Sequence, residues 1–586
     1  MSHFGKQQRR KTVRLVSLTL FVVQAHFSLH AQVVKFTPDP KLPPPPVTYR
    51  GLVPGISSNA AVRKSLGDPQ YESSWYSYKL IYPAQGRPDH FDAIHLTSSD
   101  VSGTVGTIEA ASVPVALDTW SKVHAKLGEP EFFLELSRAS IADYSAKGVR
   151  FVFDLARRTI GVAYIPHGRT RVHSGARKFL SLRHLRQGPQ KKPVRPADPG
   201  GLRAGAAEVD LTPQNIEWLD PKVRQSGLTV HDPLKARCAV LERDGLTIAV
   251  VGADLFGMLK EDVDAIEAMV RAHGIDHLLF AMSHNHSALD TIGVYGFYPT
   301  RYIQYIQDQV KKGVLTAKER LQPVSRWVAA SDELPLDGAR VQGLIRNARN
   351  PGLLHPQLAV VQAVGTGDAP IVTFVHLACH VEGLATNETS ADFPGYLCDT
   401  LKAEIGGDIV FLNGALGGMV TGDTIARSHE QAAVAGRRLA QEAKRLLAVA
   451  VPPREMALRF ERYRLEIPVT NVQLLERVGR RRKSLRGRLS TEMFYLELGD
   501  AQVVTVPGEL LPEIAFEILE RMRGYPRLIV GLANDEIGYL IPGHDFNAGQ
   551  YEETMSIGPA AGTMVRAQAL RILEKANDPP RFERTQ

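Results

Sequence analysis

Between residues 203 and 577, continuous apolar runs alternate with amphipathic stretches. Leu246 to Gly252 is an apolar run bounded by turn residues and reads as a buried strand. Glu261 to His273 repeats its apolar positions at helical spacing, and Gly274 stands just beyond it, where helices commonly end. His277 to Ser283 reads as the next strand. Strand, helix, strand in that order is a β-α-β unit and implies parallel pairing. Further buried strands are expected at Leu358 to Val364, Ile371 to Cys379, Ile409 to Asn413 and Leu528 to Leu532. The pattern predicts an α/β domain over 203–577, with a large mixed or mostly parallel sheet and helices on its faces. Ligands in such sheets bind beyond the carboxyl ends of the strands.

The pattern is different before residue 203. Ala61 to Pro69 and Val123 to Pro130 are helical stretches that close with Gly and then Pro, and β-rich segments follow at Trp75 to Tyr82 and Val149 to Tyr164. This predicts a small α+β module over 50–168 with an internal repeat, serving as a binding or accessory unit without chemistry of its own. Residues 33–49 read as a Pro-rich linker and 169–202 as a basic one, and 578–586 form a tail. Arg169 to Arg195 carries nine basic residues and no acid, which suits a solvated tether or contact with anionic lipid headgroups. Arg480 to Lys483 permits the same two readings.

Composition adds bounds. Of 586 residues, 44% are hydrophobic and 23% charged, as in ordinary globular proteins with several domains. The net charge is +8, but residues 1–50 hold eight bases against one acid, so the remainder is nearly neutral. No basic stripe with interleaved aromatics is present, and a nucleic-acid partner is not expected. A basic run ending at Arg14 leads into the apolar Leu15 to Val23, with Ala25 and Ala31 beyond. That order reads as a signal peptide over 1–32, so export to the periplasm, cell surface or medium is expected. Three cysteines are too few for a disulfide framework, although Cys379 and Cys398 could pair in an oxidising compartment.

The candidate chemistry sits at strand ends. His284 and His286 follow the strand His277 to Ser283 and share a face if the chain is extended, as metal ligands, proton carriers or a hydrogen-bonded structural pair would. His380 ends another strand, whereas His376 lies mid-strand and reads as core. Ser390 to Gly395 looks like a helix start, with Asp392 as its cap. Glu509 stands where a strand gives way to a helix, fitting either helix-start charge or a site. Tyr539 follows the last strand; spacing alone does not single it out.

Together these motifs resemble the neutral ceramidases, the neutral/alkaline non-lysosomal type. The matching stretches are Ala207 to Pro213, Asp254 to Gly257, Ser283 to Ser287, His380 with Ser390 to Gly395, and Phe411 to Ala415. Pro507-Gly508-Glu509 and Gly538-Tyr539 through Tyr551-Glu552 complete the set. The resemblance implies a zinc ion held by His284, His380, Glu509 and Tyr539. It also implies that His286 faces the reacting group and that Tyr551 touches the substrate. A substrate-contacting arginine would be Arg346 or Arg349, with Arg349 favoured. The family's Gly-Asp-Val-Ser-Pro segment reads Gly417 to Gly422 here, with Thr421 in place of its serine. The resemblance stops near residue 577, so a counterpart of the family's C-terminal immunoglobulin-like domain is not expected, and an N-terminal module is added. The implied activity is hydrolysis of an N-acyl amide in a lipid such as ceramide. A zinc amidase or esterase with another substrate, and a non-catalytic surface-binding protein on the same scaffold, are the alternatives.

Overall fold

The computed structural model describes residues 45–166, 178–183, 201–471, 474 and 487–577, apart from 76, 86, 88–89, 98–102, 385–387, 424–425, 454–455 and 548–549. The expected signal segment 1–32, most of both linkers, the run 480–483 and the tail lie outside the described residues. Among the described residues no helix is long and apolar enough to cross a membrane.

The N-terminal module is a nine-stranded sheet carrying two short helices, Asn59–Leu66 and Trp120–Leu127. The two helices repeat one local design. Ser58 and Thr119 cap the N-termini through their hydroxyls, and Gly67 and Gly128 end them at φ 79° and 74°. The ninth strand, Lys178–Ser181, falls in the stretch read as the basic linker and pairs in parallel with Phe132–Glu135.

The expected mixed α/β organisation of 203–577 is divided, among the described residues, over three sheets of four or five strands and three two-stranded pairs. In the first, His277–Met282 pairs in parallel with Leu246–Ala253, and antiparallel neighbours follow. In the second, Asp408–Asn413 is parallel to Pro370–Leu377; in the third, Arg527–Val530 is parallel to Ala501–Thr505. Each sheet therefore has one parallel pair at one edge, and the remaining pairing is antiparallel. The reason is local. Hairpins such as Asp244-Gly245, with φ values of 50° and 80°, return the chain directly beside the strand just made.

Both faces of these strands are covered, which explains their continuous apolar runs. Along Leu246–Ala253, Ile248 and Val250 enter a core shared by all three sheets. Ala249, Val251 and Ala253 enter a second core under the outer helices Lys260–Arg271 and Thr300–Glu319.

Candidate active site

The carboxyl ends of the three parallel pairs meet at one place. His284 follows the first pair, His380 the second, and Glu509 and Tyr539 the third. Asn285 bridges to Val381, and Ala281 to Ala533, so the loops are joined by backbone pairing. Glu509 and Tyr539 are themselves partners in a short parallel pair. That pair needs glycine beside each residue. A Cβ on Gly508 would lie 2.5 Å from the Gly538 carbonyl oxygen, and one on Gly538, at φ 81°, would lie 1.8 Å from the Met555 oxygen.

His284 is buried and sits at φ 61°, a conformation that only the surrounding structure makes tolerable. Its Nδ1 lies 2.9 Å from the Phe256 carbonyl oxygen. His380 Nδ1 lies 3.3 Å from the Val420 oxygen. A carbonyl only accepts, so each Nδ1 carries the proton and each Nε2 presents a lone pair. Those lone pairs face Glu509: His380 Nε2 is 2.9 Å and His284 Nε2 3.6 Å from Oε2. The Tyr539 hydroxyl is 3.4 Å from His380 Nε2 and 3.1 Å from Met419 Sδ.

Two ring lone pairs, a carboxylate oxygen and a phenol oxygen thus surround one buried point. This donor set fits zinc, for which His nitrogen and carboxylate oxygen are ordinary ligands. The backbone carbonyls behind the two rings are the usual outer partners of metal-bound histidines. Against Glu509, His380 can also take a second proton on Nε2: burial drives its pKa down, but the Glu509 hydrogen bond and charge outweigh it and the net shift is upward. Burial drives Glu509 up, but His284 and His380 outweigh it and the net shift is downward.

His286 stands next to these donors, its ring centroid 4.8 Å from that of His284 and 5.7 Å from that of His380. Its Nε2 is buried with no hydrogen-bond partner among the described residues. Burial, reinforced by His284, lowers its pKa to about 3, so the ring is neutral near pH 7. Tyr551 packs against Tyr539, centroids 6.1 Å apart.

The remaining sequence candidates are placed as follows. Thr421 is buried beside the site and donates its hydroxyl to Glu382. Arg349 is buried, and its guanidinium is held by Asp545 at 3.1 Å, Glu552 at 3.0 Å and Glu553 at 2.8 Å. It therefore fixes the segment bearing Tyr551. Arg346 turns to the N-terminal module and pairs with Glu109 at 3.2 Å. His376 is a core residue bonded to the Ile529 oxygen at 2.8 Å. Asp392 is not the cap: the cap position is Ala391, without a side-chain cap bond, and Asp392, at φ 54°, is the first helical residue and accepts from the adjacent Phe393 N–H. All three cysteines are free and buried, so Cys379 and Cys398 do not pair.

Glu382 was not singled out from the sequence. It is buried, paired with Arg427 at 3.3 Å, and backs the His286 side of the site. Its signal was available: in His380-Val381-Glu382 an extended chain puts positions two apart on one face. Phe256 was likewise passed over as a side chain; it stacks on His284 with centroids 5.0 Å apart. Beside His284 and Glu509 opens a cavity lined by Phe256, Ile292, Val294, Val469, Leu489 and Ile557 among others.

The fold that carries this cluster is the neutral ceramidase fold. One solved structure that it matches is the neutral ceramidase from Pseudomonas aeruginosa, at TM-score 0.52 and 15% identity, covering 64% of this chain and 75% of that one. Another, described as a ceramidase complexed with C2, matches at TM-score 0.53 and 14% identity over 64% and 75% of the two chains. No family model matches the sequence, and no curated protein does.

Proposed function

We propose that this protein is an exported zinc hydrolase that cleaves the N-acyl amide bond of ceramide or a related N-acyl sphingoid lipid, releasing a fatty acid and an amine. The observation that carries the reading is the apolar cavity opening directly onto His284 and Glu509. Apart from His284, Glu509 and Glu536 its lining is hydrocarbon, which suits a lipid chain better than a polar amide.

His284, His380, Glu509 and Tyr539 would hold the zinc ion. A zinc ion held there would supply Lewis acidity toward the acyl carbonyl and toward water, whose pKa zinc sites lower to roughly 7. Tyr539 and Tyr551 donate hydrogen bonds to the acyl oxygen as charge develops on it. His286, neutral and with Nε2 unengaged, accepts a proton and passes it to the departing amine, which is a poor leaving group unless protonated. Arg349 positions Tyr551 through its three carboxylates. The cavity seats one chain and keeps water off that side of the amide.

The test is a substrate panel with metal analysis. The zinc-loaded protein should turn over a fluorescent N-acyl sphingosine faster than short-chain amides or esters. His284→Ala should lose the metal and the activity. His286→Ala should keep the metal and lose about 10²–10⁴-fold in turnover. Full activity in metal-free protein would sink the reading, and a preference for esters would move it to a zinc esterase.

A further inference from the structure

A second group of metal-ligating side chains gathers away from the catalytic cluster. The strand Thr229–Val230 pairs in parallel with Glu388–Thr389, next to the start of the helix His429–Ala448. This brings His231, Asp232 and His429 together, with one ligating atom of each within 4.8 Å of the others. The two imidazoles stack at a centroid distance of 3.5 Å with planes 9° apart.

His231 Nδ1 lies 2.8 Å from Asp232 Oδ2, so these two atoms are neighbours that could share one metal. The His429 ring is held at Nε2 by Glu388 Oε2, 2.8 Å away. A carboxylate that accepts from one ring nitrogen leaves the other as a bare lone pair. Metal-binding histidines are commonly built this way. In His429 the other nitrogen, Nδ1, is buried and has no hydrogen-bond partner among the described residues. Buried polar atoms are normally satisfied, and a partner for this one is missing. His231, with its side chain 39% exposed, has room to tilt so that the two lone pairs converge.

We propose that His231, Asp232 and His429 form a second divalent-metal site, distinct from the catalytic one. Two imidazoles and a carboxylate favour zinc or a neighbouring transition metal over calcium or magnesium, which prefer all-oxygen ligation. Glu388 acts as the outer partner of His429. The site has a structural consequence. Asp232 accepts from Ser390 Oγ at 2.5 Å and from Ala391 N at 2.7 Å. The Ser390 carbonyl in turn accepts from Asn285 Nδ2 at 2.7 Å. Asn285 lies between His284 and His286, so a metal on Asp232 clamps the loop that carries both.

The test uses the full chain with the catalytic ligands removed, His284→Ala with His380→Ala. After dialysis against zinc alone, this variant should still hold one zinc per chain, and the unaltered protein should hold two. Adding His429→Gln should reduce the variant to none, and His429→Gln alone should reduce the protein from two to one. Cobalt(II) substituted for zinc should lose one visible absorption band in His429→Gln, and circular dichroism checks that each variant is folded. A folded catalytic-site variant that binds no zinc, or a stoichiometry unmoved by His429→Gln, overturns the proposal. Failure of the catalytic reading looks different: the metal count would not change on His284→Ala.

Discussion

Asn413 occupies the seam between the two histidine-bearing loops. Its amide nitrogen donates to the Ser283 oxygen at 2.7 Å and the Cys379 oxygen at 2.8 Å. Its oxygen accepts from Cys379 N at 3.1 Å and Gly414 N at 2.9 Å. Asn413→Leu keeps the volume and removes all four bonds. Zinc affinity should fall about 10–100-fold, as for other losses of a ligand's support. Competition with a chelator measures it, and an unchanged affinity would contradict the positioning role. Asp545 is a second residue with a defined signature. Burial outweighs its pairing with Arg349 and pushes its carboxyl up to about 7. A folded-state pKa above the unfolded value of ~3.9 stabilises fully below about pH 4 and loses that contribution as pH rises to 7. Asp545→Asn stays neutral throughout. Relative to the unaltered protein it should gain up to about 1.4 kcal/mol per pH unit across that window. Denaturant unfolding at several pH values checks this; a pH-independent difference would refute it.

The short parallel pair of Glu509 and Tyr539 is the element that closes the metal site. It forms only because glycine lets the backbones of Gly508 and Gly538 approach. Gly538→Ala forces a methyl group into the Met555 carbonyl and imposes an unfavourable φ of 81°. Tyr539 must then move away from Glu509. Turnover should drop at least tenfold with retained global fold, a loss of about 1.4 kcal/mol or more in transition-state stabilisation. Wild-type kinetics in a folded Gly538→Ala protein would show that the pair does not set the ligand geometry. The same element explains why Tyr539 was invisible to spacing: its partner is thirty positions earlier, and the pairing is made by two loops.

At the scale of the molecule, the N-terminal module is joined to the hydrolase domain by buried charge. Lys79 pairs with Asp423 at 3.1 Å, Arg340 with Glu109 at 3.8 Å, and Arg346 with Glu109 at 3.2 Å. Asp423 lies two residues beyond Thr421, and Arg346 pairs with Thr421 through the backbone. The module therefore braces the strand that supplies the Val420 carbonyl to His380. Glu109, 2% exposed, is a clean probe. Glu109→Ala leaves Arg346 without its buried partner and should destabilise by about 3–5 kcal/mol, the usual cost of breaking such a pair. Calorimetric unfolding checks this, and a change below 1 kcal/mol would mean the contact is not formed in solution.

The strands Leu246 to Gly252 and His277 to Ser283, with the helix between them, were legible because burial on both faces writes an unbroken apolar run. His284, His380 and Glu509 were legible as candidates because reactive residues at strand ends break that run. The sequence also determined the repeat in the N-terminal module, through Gly-Asp-Pro and Gly-Glu-Pro at matching helix ends. The tertiary structure decided the rest. Division into three sheets depends on which strands hairpins return beside, and their convergence depends on a shared core that no single segment encodes. Arg349 could not be assigned from sequence because its role is set by Asp545, Glu552 and Glu553, which are close in space and distant along the chain. The same is true of Glu382 beside Thr421 and of His231 beside His429. Periodicity reports the environment of one segment; which side chains face each other is set by packing between segments.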